Sequence, residues 1–549
     1  MDRSRLMDCA FLFGAVLLSA LPYVFGLGFY SDDWNYQAVL VRSSHLGIGS
    51  MFWELARADS GMVARPVQLA YLVLGFKAFG QYATAYHLFN SVLLGLLGGL
   101  IYLVIRELGG ERWPAFSIAL VFGVLPHYAT DRFWISAHQV TLSMAFALFG
   151  IYALVRSSRP QARWMAWATV AAIALVLSIL AYEVALGLIV ALLGWIGWST
   201  YKDARNSSRH RVEHLSGVVG TAAVLLIIGI LKFRAQRRIA LPHHYANFLM
   251  RFPELSGHAL VQAFRFNFWT YGLHAPAVLM GLDRHAALSR NAIACAMVIA
   301  LGVSAYMWRK GGSGPTCRSC LWLLLMGLVL FWLGFVLFFP SAASNFSTAG
   351  LDNRVAMASA LGASCVLVAM AGLASLLLGS WRKPAYCVLI GVVCGVECLI
   401  VNGLGWFWVD AASRQSAILK DVAADVRTLP DGSVLLLDGF CGYSGPAVVF
   451  ETDWDTTPAI QMALGNSSLR GDVVSRNLTL DDVAIKTSIY GDAEGHYSYG
   501  NRLFVYNARL HSVTDLPSRS AAERYFRGVN PNRDSDCPPS REGVGARAF

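Results

Sequence analysis

The 549-residue chain is 56% hydrophobic and only 14% charged, with a mean hydropathy of +0.50. A soluble protein of this size needs far more polar surface to cover its core, so a polytopic α-helical membrane protein is implied. The net charge of +10 raises nucleic acid as a partner, but the basic residues sit in short clusters between apolar runs. Membrane orientation accounts for such clusters, and nucleic acid is set aside.

About 20 apolar residues cross about 30 Å of hydrocarbon. The runs 9–27, 321–340 and 355–381 carry no charge at all. The pattern predicts eleven spans: 8–28, 84–106, 114–130, 135–155, 164–182, 184–200, 215–232, 291–308, 321–340, 355–379 and 385–407. A cleaved signal peptide competes for the first run. Against it stand the length of the run, the lack of a small-x-small cleavage site and the spans that follow.

With Arg3 and Arg5 placed in the cytoplasm, most basic turns fall on that side. Among the outer groups, Lys232, Arg234, Arg237 and Arg238 depart from the rule. Long loops translocate regardless of charge, so the topology stands. Eleven spans leave the C-terminus outside, in a multi-pass protein of the plasma (inner) membrane.

The membrane domain is 1–409, with long outer loops at 29–83 and 233–290. In the first loop, the apolar run 67–79 after Arg65-Pro66 is short for a span and suits an interfacial helix. The tail 410–549 reads as a soluble α/β domain. A helix is predicted over 413–428, a turn at Leu429-Pro430-Asp431-Gly432, and strands at 434–437, 447–450, 483–489 and 503–506. Cys441 and Cys537 both fall in this domain, where an oxidising compartment permits a disulfide. Cys317 and Cys320 form a CxxC without a second pair, too little for zinc.

The stretch Phe29-Tyr30-Ser31-Asp32-Asp33-Trp34 follows the first span directly. Two adjacent carboxylates at a membrane surface are expensive to desolvate, which favours function. Ser and Asp are also good helix N-caps, and the residues alone leave both readings open.

The first span followed by an acidic pair resembles the GT-C superfamily of membrane glycosyltransferases. Arg65-Pro66, Phe79-Gly80, Tyr86-His87 and Asn90 resemble the segment that follows the pair in the lipid A aminoarabinose transferase and protein O-mannosyltransferase branches. The loop from Leu125 to Ile135, with His127, Asp131 and Arg132, resembles their second outer loop. Tyr182-Glu183 resembles a Lys-Glu or Lys-Gly position at the third. The resemblance covers roughly the first 200 residues, and it rests on order and spacing. Asp-Asp stands where many relatives have Asp-Glu, and the tail departs as well.

The resemblance implies sugar transfer from a polyprenyl phosphate donor to an extracytoplasmic glycan or lipid-linked acceptor, with inversion. Such transfer needs a base to take the acceptor proton, and a carboxylate beside a second one in a dry cleft is suited to that. Adjacent side chains point apart, so Asp32 is taken as the base. Asp33 then orients the acceptor or holds a cation. Arg65 is the first candidate for the donor phosphate, because guanidinium matches phosphate oxygens bidentately. Arg237, Arg238 and Arg354 are further candidates. A snorkelling role for Arg65 and lipid-headgroup contact for the cluster compete. Tyr30, Trp34, His127, Asp131 and Glu183 are candidates for substrate binding, against plain loop or cap roles. A magnesium or manganese ion would find only Asp32 and Asp33, too few hard ligands for a firm site. The rival class is a transporter or flippase of a lipid-linked sugar. It predicts buried mid-span charges and paired broken helices. Only Glu397 is clearly mid-span, and there is no repeat.

Overall fold

The computed structural model describes residues 2–159, 163–202, 208–237, 248–285, 287–310, 314–338, 347–426, 429–474, 478–488 and 493–528. Ten helices among them are long and apolar enough to cross a bilayer: Arg3–Val24, Ala83–Glu107, Ile135–Ser157, Trp164–Ala181, Glu183–Tyr201, Leu215–Lys232, Arg290–Lys310, Cys317–Phe335, Leu351–Leu376 and Gly379–Asp425.

The span predicted over 114–130 is shorter than expected. Its helix, Arg112–Val124, has 13 residues. That is about 20 Å at 1.5 Å per residue, against about 30 Å of hydrocarbon. The segments before and after the helix are held at opposite ends of the bundle. At one end Glu107 pairs with Arg5 at 2.7 Å and with Arg159, and Arg112 pairs with Asp8 at 2.7 Å. At the other, the Trp134 indole donates to the Tyr30 carbonyl at 2.9 Å. Pro126 opens a 3₁₀ turn directly after the helix. Because the helix ends early, residues 126–137 run through the bundle rather than over it, and all are buried.

The closest helix crossing is set by glycine. A Cβ on Gly362 would lie 2.2 Å from the Phe331 amide nitrogen, and one on Gly334 2.3 Å from that of Ser359. Backbone therefore meets backbone between Cys317–Phe335 and Met357–Leu376, the small-residue packing that stabilises helices in lipid. Gly362→Val is expected to destabilise the bundle by about 3 kcal/mol, since the obstructing atoms are backbone and have no rotamer to change. Thermal unfolding in detergent measures this, and an unchanged Tm would contradict it.

The last span and the predicted tail helix are one element. Arg382–Asp425 runs unbroken for 44 residues, about 66 Å. The boundary expected near 410 falls inside it. No proline interrupts it after Pro384, so the helix continues from the apolar run into the charged stretch that begins at Asp410.

In the C-terminal region the strand Val434–Asp438 lies between Arg470–Val473 and Leu503–Asn507, parallel to both. Ser512–Asp515 adds antiparallel at one edge. Helix Asp453–Leu464 makes the crossover between the first two parallel strands. A separate antiparallel sheet holds Thr479–Leu480, Ala484–Ser488 and Ala493–Ser498. Cys441 is disulfide-bonded. Cys537 lies outside the described residues.

Candidate active site

The acidic pair opens the helix Asp32–Arg42, and its two carboxylates part company. Ser31 before them has φ 46°, a left-handed conformation rare for a residue with a Cβ. It costs about 1–3 kcal/mol and persists only where its surroundings hold it. The surroundings here are the Asp33 bonds. Asp33 Oδ1 accepts from the Ser136 amide at 2.8 Å and the Ser136 hydroxyl at 2.5 Å. Oδ2 accepts from the Tyr30 amide at 3.1 Å and the Ile135 amide at 3.3 Å. Burial pushes the Asp33 carboxyl up to about 7 against the pull of these donors. Asp33 thus ties the start of the helix Asp32–Arg42 to the segment 126–137, and its lone pairs are taken.

Asp32 is half-buried. Burial raises its pKa above the usual carboxylate range, offset first by the charge of Arg354 and then by a hydrogen bond from Trp454. That bond, indole Nε1–H to Oδ1, measures 2.9 Å and comes from the C-terminal domain.

Arg354 is placed by its own turn. Asn353 donates to the His127 carbonyl at 2.7 Å and accepts from the Thr130 amide at 3.2 Å. Thr130 in turn donates to the carbonyl of Gly350, whose φ is 87°. The Arg354 guanidinium lies 5.1 Å from the Trp134 ring centre. It interacts with the Tyr182 hydroxyl and faces Asp32.

The Tyr182 ring carries Arg65, 4.5 Å from its centre. Arg65 approaches Glu183 at 3.7 Å, and Lys232 binds the same carboxylate at 2.8 Å. Two cations around one anion leave a net positive charge beside Tyr182. Arg65 Nε is buried without a hydrogen-bond partner. The pairing also accounts for Lys232, the charge that departed from the positive-inside rule.

Several predicted residues lie elsewhere. Tyr30 is fully buried, with its hydroxyl donating to the Trp408 carbonyl at 2.7 Å. Trp34 packs between Phe29 and Phe450, joining the two domains. His127 sits inside the bundle against Phe268 and Tyr271, and burial holds its pKa down to about 3. Asp131 is also fully enclosed, and burial pushes its carboxyl well above the usual range, with Arg354 and Arg132 as the nearest opposing charges. The short helix before this loop explains both placements. Arg132 donates to the Gly123 carbonyl at 2.7 Å and the Tyr128 hydroxyl at 3.0 Å. Arg237 ends the helix Ser208–Arg237, and Arg238 lies outside the described residues.

No protein-family model matches the chain, nor does any curated protein. Its structure is similar to crystal structures of ArnT from Cupriavidus metallidurans. For the apo state the TM-score is 0.34 at 14% identity, covering 84% of each chain. For the form bound to undecaprenyl phosphate it is 0.35 at 15% identity, covering 85% of each. It is also similar to the cryo-EM structure of the arabinofuranosyltransferase AftD from mycobacteria, with TM-score 0.39 and 14% identity over 87% of this chain and 32% of that one.

Of the predicted residues the structure brings Asp32, Arg354, Arg65 and Glu183 together around Tyr182. It adds Tyr182, Lys232, Trp134 and Trp454. Lys232 had a signal in the sequence, its misplaced charge. Trp454 had none, because it lies 422 residues from Asp32 in the chain. Among the described residues no group of three or more His, Cys, Asp or Glu side chains is arranged to hold a metal ion.

Proposed function

We propose that the chain is a GT-C-type glycosyltransferase. It moves one sugar from a polyprenyl phosphate to a hydroxyl of an extracytoplasmic glycan or lipid-linked acceptor, with inversion. The observation that carries this reading is the division of labour in the acidic pair. One carboxylate is spent on structure, and the other is half-buried, raised by burial and opposed by the charge of Arg354.

The acceptor oxygen attacks the anomeric carbon as its proton passes to Asp32. The bond from that carbon to the phosphate oxygen breaks, and the polyprenyl phosphate leaves with the electron pair. Developing charge on the phosphate calls for preorganised cations, the role given to Arg354, Arg65 and Lys232. The lipid tail of the donor lies in the bilayer, and the acceptor enters from the side of the C-terminal domain.

Sugar transfer by purified protein in lipid, with a panel of polyprenyl-phosphate sugars and envelope acceptors, tests the reading. Absence of transfer with every donor would refute it. We further propose that the reaction needs no resident cation, because Asp33 has no oxygen to spare and the donor carries a single phosphate. Transfer should then persist in excess EDTA, and a loss restored by magnesium or manganese would overturn this point.

A further inference from the structure

Trp454 stands where two domains meet. It is the second residue of helix Asp453–Leu464, whose first turn is locked by a capping box. The Thr452 hydroxyl accepts from the Trp454 amide at 2.9 Å, and Asp455 accepts from the amides of Thr452 at 2.9 Å and Glu451 at 3.0 Å. The helix lies along Asp32–Arg42 and is pinned at both ends. Trp454 donates to Asp32 at 2.9 Å, and Arg42 donates to Gln461 at 3.0 Å. The domain is itself seated on the long helix, where Gln415 donates to the Val449 carbonyl at 2.6 Å and Ser444 to Asp410 at 2.5 Å. Yet the Trp454 side is not sealed, since the residue is 40% exposed.

We infer that the C-terminal domain supplies a positioning residue to the reaction: the Trp454 indole N–H holds Oδ1 of Asp32 so that Oδ2 faces the acceptor hydroxyl. Oδ2 accepts no hydrogen bond among the described residues, while Oδ1 has this one partner. A half-buried carboxylate with one oxygen fixed loses a rotation that would otherwise scatter its aim. The groups bearing on Asp32 are Arg354 from the 347–354 turn, Asp59 from the segment 29–83, Glu451 from the C-terminal domain and Asp33 from its own helix. Of these only Arg354 opposes the burial, so the indole N–H is the second group that favours the ionised base. The inference rests on the proposed transfer reaction.

Trp454→Phe keeps an aromatic ring and removes the N–H. It should lower kcat about tenfold, the size of a lost hydrogen bond to a charged group. The KM for the donor should stay unchanged, and the acid limb of the pH profile should move to higher pH. Gln461→Ala loosens the same helix pair without touching Asp32, and it should leave both kcat and the acid limb at wild-type values. Trp454→Phe with wild-type kcat and acid limb would overturn the inference, as would an equal loss in Gln461→Ala. Neither result would touch the functional reading, which fails only if the wild-type protein transfers no sugar.

Discussion

Asp32→Asn is expected to reduce kcat by about 10²- to 10⁴-fold, the range for loss of a positioned general base. Donor binding should persist, because Arg354, Arg65 and Lys232, the proposed partners of the phosphate, are left in place. The amide is isosteric and still accepts the Trp454 N–H, so the folded structure should be retained. Asp33→Asn should behave differently. Its carboxylate receives four donors, and an amide presents only one acceptor atom to them. The expected loss is in folded yield and Tm, as the segment 126–137 comes away from the start of the helix Asp32–Arg42. A single-turnover assay beside a thermal melt separates the two cases. Wild-type turnover in Asp32→Asn would remove this residue from the chemistry. In the wild-type protein, the acid limb of kcat/KM should lie above the ordinary aspartate value of about 3.9, because burial raises the pKa of Asp32. The sign follows from the role: the base works ionised, so a raised pKa moves the loss of activity to higher pH.

The position of the acidic pair at the start of a helix was legible in the sequence, because Ser and Asp favour helix N-termini and follow an apolar run directly. The role of Asp33 was not, since its partners are backbone amides more than 100 residues away. Fold class was legible for a similar reason. Spans announce themselves through length and composition, which are local properties. The misplacement of His127 and Asp131 came from reading 114–130 as a full-length span. A helix stopped by Leu125-Pro126 does not reach the surface, and the loop after it is drawn inside. The residues were the same, but their depth was different.

The cationic side shows the same limit. Lys232 departs from the positive-inside pattern in the sequence, and its partner Glu183, at 2.8 Å, lies 49 residues earlier in the chain. Tyr182 looked like a neighbour of Glu183, yet it meets both Arg65 and Arg354. Helix ends from four distant parts of the chain build this region, so no local pattern encodes it.

Arg354 carries the second large prediction, because it touches both halves of the mechanism. Arg354→Ala should lower kcat about 10²- to 10³-fold, the loss expected when a preorganised partner for transition-state charge is removed. It should also push the acid limb upward, since Arg354 is the largest charge opposing the burial of Asp32. Arg354→Lys separates the effects. The ammonium keeps the charge and so holds the acid limb near wild type. It lacks the planar fork that meets phosphate oxygens and stacks beside Trp134, so kcat should not recover. Arg65→Ala makes the contrast. Lys232 remains on Glu183 there, and the expected change is a higher donor KM with kcat reduced far less. The ranking of Arg354 over Arg65 in kcat is what geometry adds to the sequence, where Arg65 came first. Wild-type kcat in Arg354→Ala would reverse that ranking and move the phosphate site to Arg65.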